Sequence, residues 1–163
     1  MSVDFSRKTL TQYLDQLASR EPVPGGGSAG AVSAALGAAL ISMVTRYSIG
    51  RKTNTKALDK QLTKLLEKSE ALRQRFLQLA AEDSKAYLEV VAARTQDSKA
   101  KRRAATRAAA VPKEICRLCY KAVELTPFLV AKGNPYLLSD VEVAIELLMA
   151  GFNASAVMIK ANA

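Results

Sequence analysis

From Leu58 to Val90 the chain sets Leu58, Leu62, Leu65, Ser69, Leu72, Phe76, Leu79, Asp83, Ala86 and Val90 at alternating steps of four and three. Only a helix gathers such positions on one face, and another helix is what fills the seam they form. The run predicts a helix of about 40 residues, roughly 60 Å long at ~1.5 Å per residue. A compact small domain is about half that wide. The helix therefore either kinks or projects into a partner. The expected fold is all-α, an elongated helical bundle of about five or six helices that dimerises.

Other segments agree with that class. Leu10, Tyr13, Leu14 and Leu17 predict a short helix from about Ser6 to Ser19, ended by Pro22 and Pro24. Between Pro22 and Thr45 there is no charged residue. Ala, Gly and Ser dominate this stretch, so it reads as a buried central helix rather than a membrane span, capped by Ser28 or Gly27 and running to about Ser48. Gly30, Ala34 and Ala38, like Ser33 and Gly37, recur every four residues and let a neighbouring helix approach closely. Thr95 to Ser98 reads as a turn. A helix with the basic run Lys99, Lys101, Arg102, Arg103 and Arg107 follows, kinked or restarted at Pro112 and disturbed again at Pro127. Gly133-Asn134-Pro135 is a turn signal. Ser139 and Glu142 read as a capping box for a last helix to about Lys160. No strand pattern or internal repeat is present, and residues 1–163 read as one domain.

The charge balance is +9, which suits an anionic partner. Aromatic residues make up 6% and there is no Trp, too few rings for a single-stranded nucleic-acid platform, so no nucleic-acid partner is expected. There is no histidine. Any proton transfer must use carboxylates, lysine, tyrosine, cysteine or water. Cys116 and Cys119 share a helix face, but without a second pair or a histidine they read as core thiols rather than metal ligands, and two cysteines suit a reducing cytoplasm. No secretory signal is visible at the polar N-terminus.

Three places could carry chemistry. Pro24-Gly25-Gly26-Gly27-Ser28 precedes a helix whose first N–H groups lack partners, so glycine lets a ligand oxygen reach the backbone. It is neither a P-loop nor a dinucleotide fingerprint. Asp83 occupies a seam position among apolar residues, and burial would raise its pKa towards the range useful for proton transfer. Asp140 lies in the first turn of the last helix, where an acid also stabilises the helix dipole.

These residues together resemble the cyclodeaminase/cyclohydrolase family, the type of the C-terminal domain of formiminotransferase-cyclodeaminase, which includes stand-alone methenyltetrahydrofolate cyclohydrolases. The likeness rests on Leu17-Ala18-Ser19, then Pro22-Val23-Pro24-Gly25-Gly26-Gly27-Ser28, then an Ala-rich helix reaching Met43-Val44. It continues through Gly50-Arg51-Lys52, Asp83 with Ala86 and Tyr87, Arg103, Val111-Pro112, Lys132-Gly133-Asn134, Ser139-Asp140 and Asn162. Met158 stands where the family tends to have Asn. The resemblance implies a reaction at the one-carbon bridge of tetrahydrofolate. Either 5,10-methenyltetrahydrofolate is hydrolysed to 10-formyltetrahydrofolate, or 5-formiminotetrahydrofolate is cyclised with release of ammonia. Neither reaction needs a metal or redox cofactor; the tetrahydrofolate derivative is the substrate. The resemblance supports these positions, and on them Asp83 is expected to act as acid/base and Asp140 to orient water or pair with a ring nitrogen. Gly25, Gly26, Gly27, Ser28, Lys52 and Asn134 would bind substrate, whose polyglutamate tail a +9 chain would attract. A non-catalytic folate-binding or interaction module of the same fold is the alternative.

Overall fold

In the computed structural model, which describes residues 8–161, the helical periods become six α-helices and one 3-10 turn, with no strand among the described residues. They are α1 (Leu10–Ala18), α2 (Gly26–Ser48), α3 (Lys56–Ala93), α4 (Ser98–Val123), α5 (Thr126–Lys132), the 3-10 turn Pro135–Leu137 and α6 (Leu138–Ala161). Ser6, the expected start of the first helix, and Asn162 lie outside the described residues.

The seam of α3 faces the protein's own interior. Leu62, Leu65, Phe76, Leu79 and Ala86 are buried, and Ser69 meets Ser42 of α2 hydroxyl to hydroxyl at 2.8 Å. At 38 residues α3 is about 57 Å long, so the bundle is elongated along it. Thr55 starts α3 by accepting the Leu58 N–H, and Asp97 starts α4 by accepting that of Ala100.

α2 is the central helix, with 13 buried residues out of 23, most of them Ala, Gly or Ser. Its partner is α6, which runs antiparallel to it. Ser33 Oγ donates to the Leu147 carbonyl, and Gly30 and Gly151 sit backbone against backbone. A β-carbon on Gly37 would lie 2.8 Å from the Ala144 carbonyl oxygen, and one on Gly151 would lie 2.8 Å from the Gly30 carbonyl oxygen.

Three local readings are corrected. Gly25, not Ser28 or Gly27, is the N-cap of α2, which begins two residues before Ser28. Ser139 and Glu142 form no capping box. Asn134 takes over the start by accepting the Tyr136 N–H, and the 3-10 turn leads straight into α6, leaving Ser139 and Asp140 inside its first turn. Pro112 does not restart α4, which runs unbroken through it; the buried ring offsets a lost ladder bond.

Gly37→Ala should lower stability by about 1–3 kcal/mol, because the added methyl forces α2 and α6 apart. Thermal and urea unfolding of both proteins measure this, and an unchanged midpoint would mean that the two helices have room to separate.

Candidate active site

The glycine turn is held from below by α1. Gln16 Nε2 donates to the Val23 carbonyl at 3.0 Å, and the Val23–Pro24 peptide is cis. Gly25 caps α2 without a side chain, so the first amides of the helix need acceptors from elsewhere. One acceptor comes from α3: the Ser28 N–H donates to the Asp83 carboxylate. The Ser28 side chain points the other way, into the core, where its hydroxyl meets Tyr13 Oη at 3.1 Å.

Gly27 makes this contact possible. A β-carbon there would lie 2.2 Å from Asp83 Oδ1 and 2.5 Å from its Cγ. The carboxyl group thus lies flat on a bare stretch of main chain. Burial pushes the Asp83 carboxyl above the ordinary carboxylate range, and the Ser28 amide pulls it partly back by favouring the charged form. Burial also pushes the Tyr13 phenol up; the Ser28 bond opposes this and the Asp83 charge adds to it.

Asp83 and Gly25 to Gly27 line one wall of a cleft of about 420 Å³. Pro22, Val23, Tyr87, Val90, Arg94, Ala108 and Met158 complete it. That volume lies within the range of ~300–1,000 Å³ usual for small-molecule sites. Tyr87, Val90 and Arg94 follow Asp83 on the same face of α3. Sequence reasoning missed Arg94 as a site residue; it stands one place past Ala93, the next seam step after Val90, and a charge beside the end of the apolar face was the available signal. Tyr13, treated only as a helix-face residue, supports the turn through Ser28.

The other expected site residues gather elsewhere. Lys52 and Asn134 lie beyond the far end of α2, about 33 Å along it from the glycine turn. There Arg51 donates to the Gly133 carbonyl at 2.9 Å, and the Asn134 N–H donates to Ser48 Oγ at 2.8 Å. Asn134 Oδ1 is already engaged by Tyr136. Asp140 stands at the same end, half-buried and making no hydrogen bond or ion pair among the described residues. The chain therefore brings together Asp83, Gly25, Gly26, Gly27 and Ser28, and keeps Lys52, Asn134 and Asp140 apart from them.

The cysteines are not a reactive pair. Cys119 is buried and its thiol is pushed up to about 12, while Cys116 lies against the Phe152 carbonyl. No cluster of three His, Cys, Asp or Glu residues suited to a metal exists among the described residues. The basic run of α4 is largely exposed, with Arg107 paired to Glu89.

Residues 9–163 match the family described as formiminotransferase-cyclodeaminase. A methenyltetrahydrofolate cyclohydrolase from Methylorubrum extorquens is 37% identical, across 96% of this chain and 79% of its own length. A formimidoyltransferase-cyclodeaminase from Rattus norvegicus is 29% identical over 88% of this chain, which corresponds to 28% of that longer protein. The crystal structure of formiminotetrahydrofolate cyclodeaminase from Thermotoga maritima superposes with a TM-score of 0.92 at 29% identity, covering 96% of this chain and 79% of that one.

Gly27→Ala should displace the Asp83 carboxylate and destabilise the fold by about 1–3 kcal/mol, whereas Gly25→Ala, with open space around its β-carbon, should leave the unfolding midpoint nearly unchanged. Equal midpoints for the two variants would show that the carboxylate can move aside freely.

Proposed function

Since the chain belongs to the formiminotransferase-cyclodeaminase family and is a folate one-carbon enzyme, we propose that it hydrolyses 5,10-methenyltetrahydrofolate to 10-formyltetrahydrofolate with Asp83 as the acid/base. The observation that carries this reading is the Asp83 carboxyl group, half-buried against Gly27 and facing the cleft. The greater identity to a cyclohydrolase, 37% over nearly the whole chain, favours hydrolysis over cyclisation of 5-formiminotetrahydrofolate.

The chemistry follows from the group's position. Asp83, ionised, takes a proton from a water as its oxygen adds to the methenyl carbon. The resulting tetrahedral carbon stands between two nitrogens. The carboxyl group returns its proton to N5 as the carbon–N5 bond breaks, and the hydroxyl proton leaves to solvent as the formyl C=O forms. One water is consumed and one proton released. A carboxyl with a raised pKa suits both halves of this exchange better than an ordinary one, because it returns its proton less reluctantly near the physiological range.

The unpaired amides at the start of α2 and the guanidinium of Arg94 face the same cleft, and they suit the carbonyl and carboxylate oxygens of a folate. A polyglutamate tail would extend from the cleft over the basic surface. Lys52, Asn134 and Asp140 enter the site only if a second copy supplies them, so the active form in this reading is a homodimer. Its two free thiols suit the cytoplasm.

Asp83→Asn should lower kcat by about 10²–10⁴-fold. Loss of methenyl absorbance measures hydrolysis, and ammonia release from the formimino substrate measures cyclisation. Wild-type turnover in the variant would remove Asp83 from the mechanism. A parent that binds folate yet turns over neither substrate would make the fold a binding module. In the parent, kcat/KM should rise with pH through a midpoint above about 3.9, the ordinary Asp value, and this limb should vanish in the variant. Asp83 holds its proton more tightly folded than unfolded. Its contribution to stability is therefore full below the unfolded pKa and is lost as pH rises through the folded one. Asp83→Asn escapes that loss and should melt at or above the parent's midpoint at pH 7, as calorimetry would measure.

A further inference from the structure

α4 carries a proline where a helix tolerates one least. Pro112 stands near the middle of its 26 residues, and the helix runs on through it. Proline has no backbone N–H. The carbonyl four residues earlier, that of Ala108, therefore has no ladder donor. The N–H of Val111, one place before the proline, serves the Arg107 carbonyl in the same ladder. A helical carbonyl points towards the residue four places on, so this one lies on the face that Ala108 and Pro112 share. That face turns inward: Pro112 is fully buried and Ala108 nearly so. An acceptor left without a donor in such surroundings is costly.

Ala108 is also the residue through which α4 enters the cleft. Its height there follows from the packing of α3 on α4. The two helices run antiparallel, with Arg107 paired to Glu89 at this end and Glu114 near Arg75 further along. The Ala108 carbonyl therefore stands level with Tyr87, about one helical turn, or roughly 6 Å, from Asp83 along the bundle. The other polar groups of the cleft are mostly donors: the amides of the glycine turn and the Arg94 guanidinium. Apart from Asp83 and the Tyr87 hydroxyl, no lining side chain offers an oxygen. Asp83 already accepts from the Ser28 amide.

We infer that the Ala108 carbonyl, released by Pro112, accepts a hydrogen bond from the 2-amino group of the pterin ring when a folate occupies the cleft. This role rests on the folate reading above. A reduced pterin carries its amino group at one end of a fused ring pair and its one-carbon bridge at the other. Two fused six-membered rings span about the gap between the Ala108 carbonyl and Asp83. The amino end can thus rest on the carbonyl while the bridge faces the carboxyl group. A main-chain carbonyl accepts and never donates. It therefore receives an amino group at that point and disfavours an oxygen there, which would meet it lone pair to lone pair. In this arrangement α4 gives up one internal bond and gains a fixed acceptor in an otherwise apolar wall.

The test is calorimetric binding of two probes, 5-formyltetrahydrofolate and its analogue with a methyl group in place of the 2-amino group, to the parent and to Pro112→Ala. The variant regains an N–H at position 112, and with it the ladder bond to Ala108. The parent should bind the methyl analogue about 3–10-fold more weakly than the amino compound, the effect of one hydrogen bond. Pro112→Ala should bind the amino compound more weakly by a similar factor and hardly distinguish the two probes. If the smaller side chain loosens the bundle, Pro112→Val supplies the same N–H with a fuller side chain, and the same comparison is made on it. An equal penalty for the analogue in parent and variant would overturn the role of Ala108 and leave the folate reading standing. So would a parent that binds both probes equally well. A parent that binds neither probe would refute the folate reading and this role with it.

Discussion

The close contact of α2 with α6 is the constraint on which the remaining structure depends. Glycines and alanines on both helices let the backbones meet almost directly, with Gly37 against the Ala144 carbonyl and Gly151 against that of Gly30. Close approach brings dispersion contacts along the whole length of both helices. It also fixes their relative height, because a small residue meeting a small residue tolerates little sliding. That height sets Met158 beside Gly26 and so closes one side of the cleft. α3 then lies across α2 with its seam inward, and its register places Asp83 under the first turn of α2. The site is thus a by-product of how tightly two small-residue helices fit.

Much of this can be read in the sequence because it follows from period. The alternation of four and three from Leu58 to Val90 marks both the length of α3 and its buried face, and it singles out Asp83 as the charged member of that face. The uncharged stretch after Pro22 marks the central helix for the same reason. Helix caps were harder to read. Ser28 has the chemistry of a cap but not the position, because the acceptor for its amide is Asp83, 55 residues later in the chain. Ser139 and Glu142 have the spacing of a capping box, yet Asn134-Pro135 imposes a 3-10 turn that leads the chain into α6 without needing one. A local motif predicts a cap only when no distant group or upstream turn has taken its place.

The long seam also suggested a partner, but the structure turns that seam inward. Helix α3 spends its seam on α2 and α4 of the same chain. Exposed apolar side chains are spread over all six helices, α2 and α6 included, although those two pack closely on each other. Composition counts apolar residues but does not say which neighbours cover them. For the same reason a single set of site residues in sequence becomes two sets in space, at opposite ends of α2.

The contact between Asp83 and Gly27 has one more consequence. The carboxyl group owes its surroundings mainly to main chain: a bare glycine on one side and an amide at a helix start on the other. Main-chain surroundings change little when side chains are exchanged. Tyr87, Val90, Arg94 and Met158, which shape the rest of the cleft, can therefore vary without moving the carboxyl group away from the helix start. A fold built this way can refit the walls of its cleft while the carboxyl group stays where the main chain holds it.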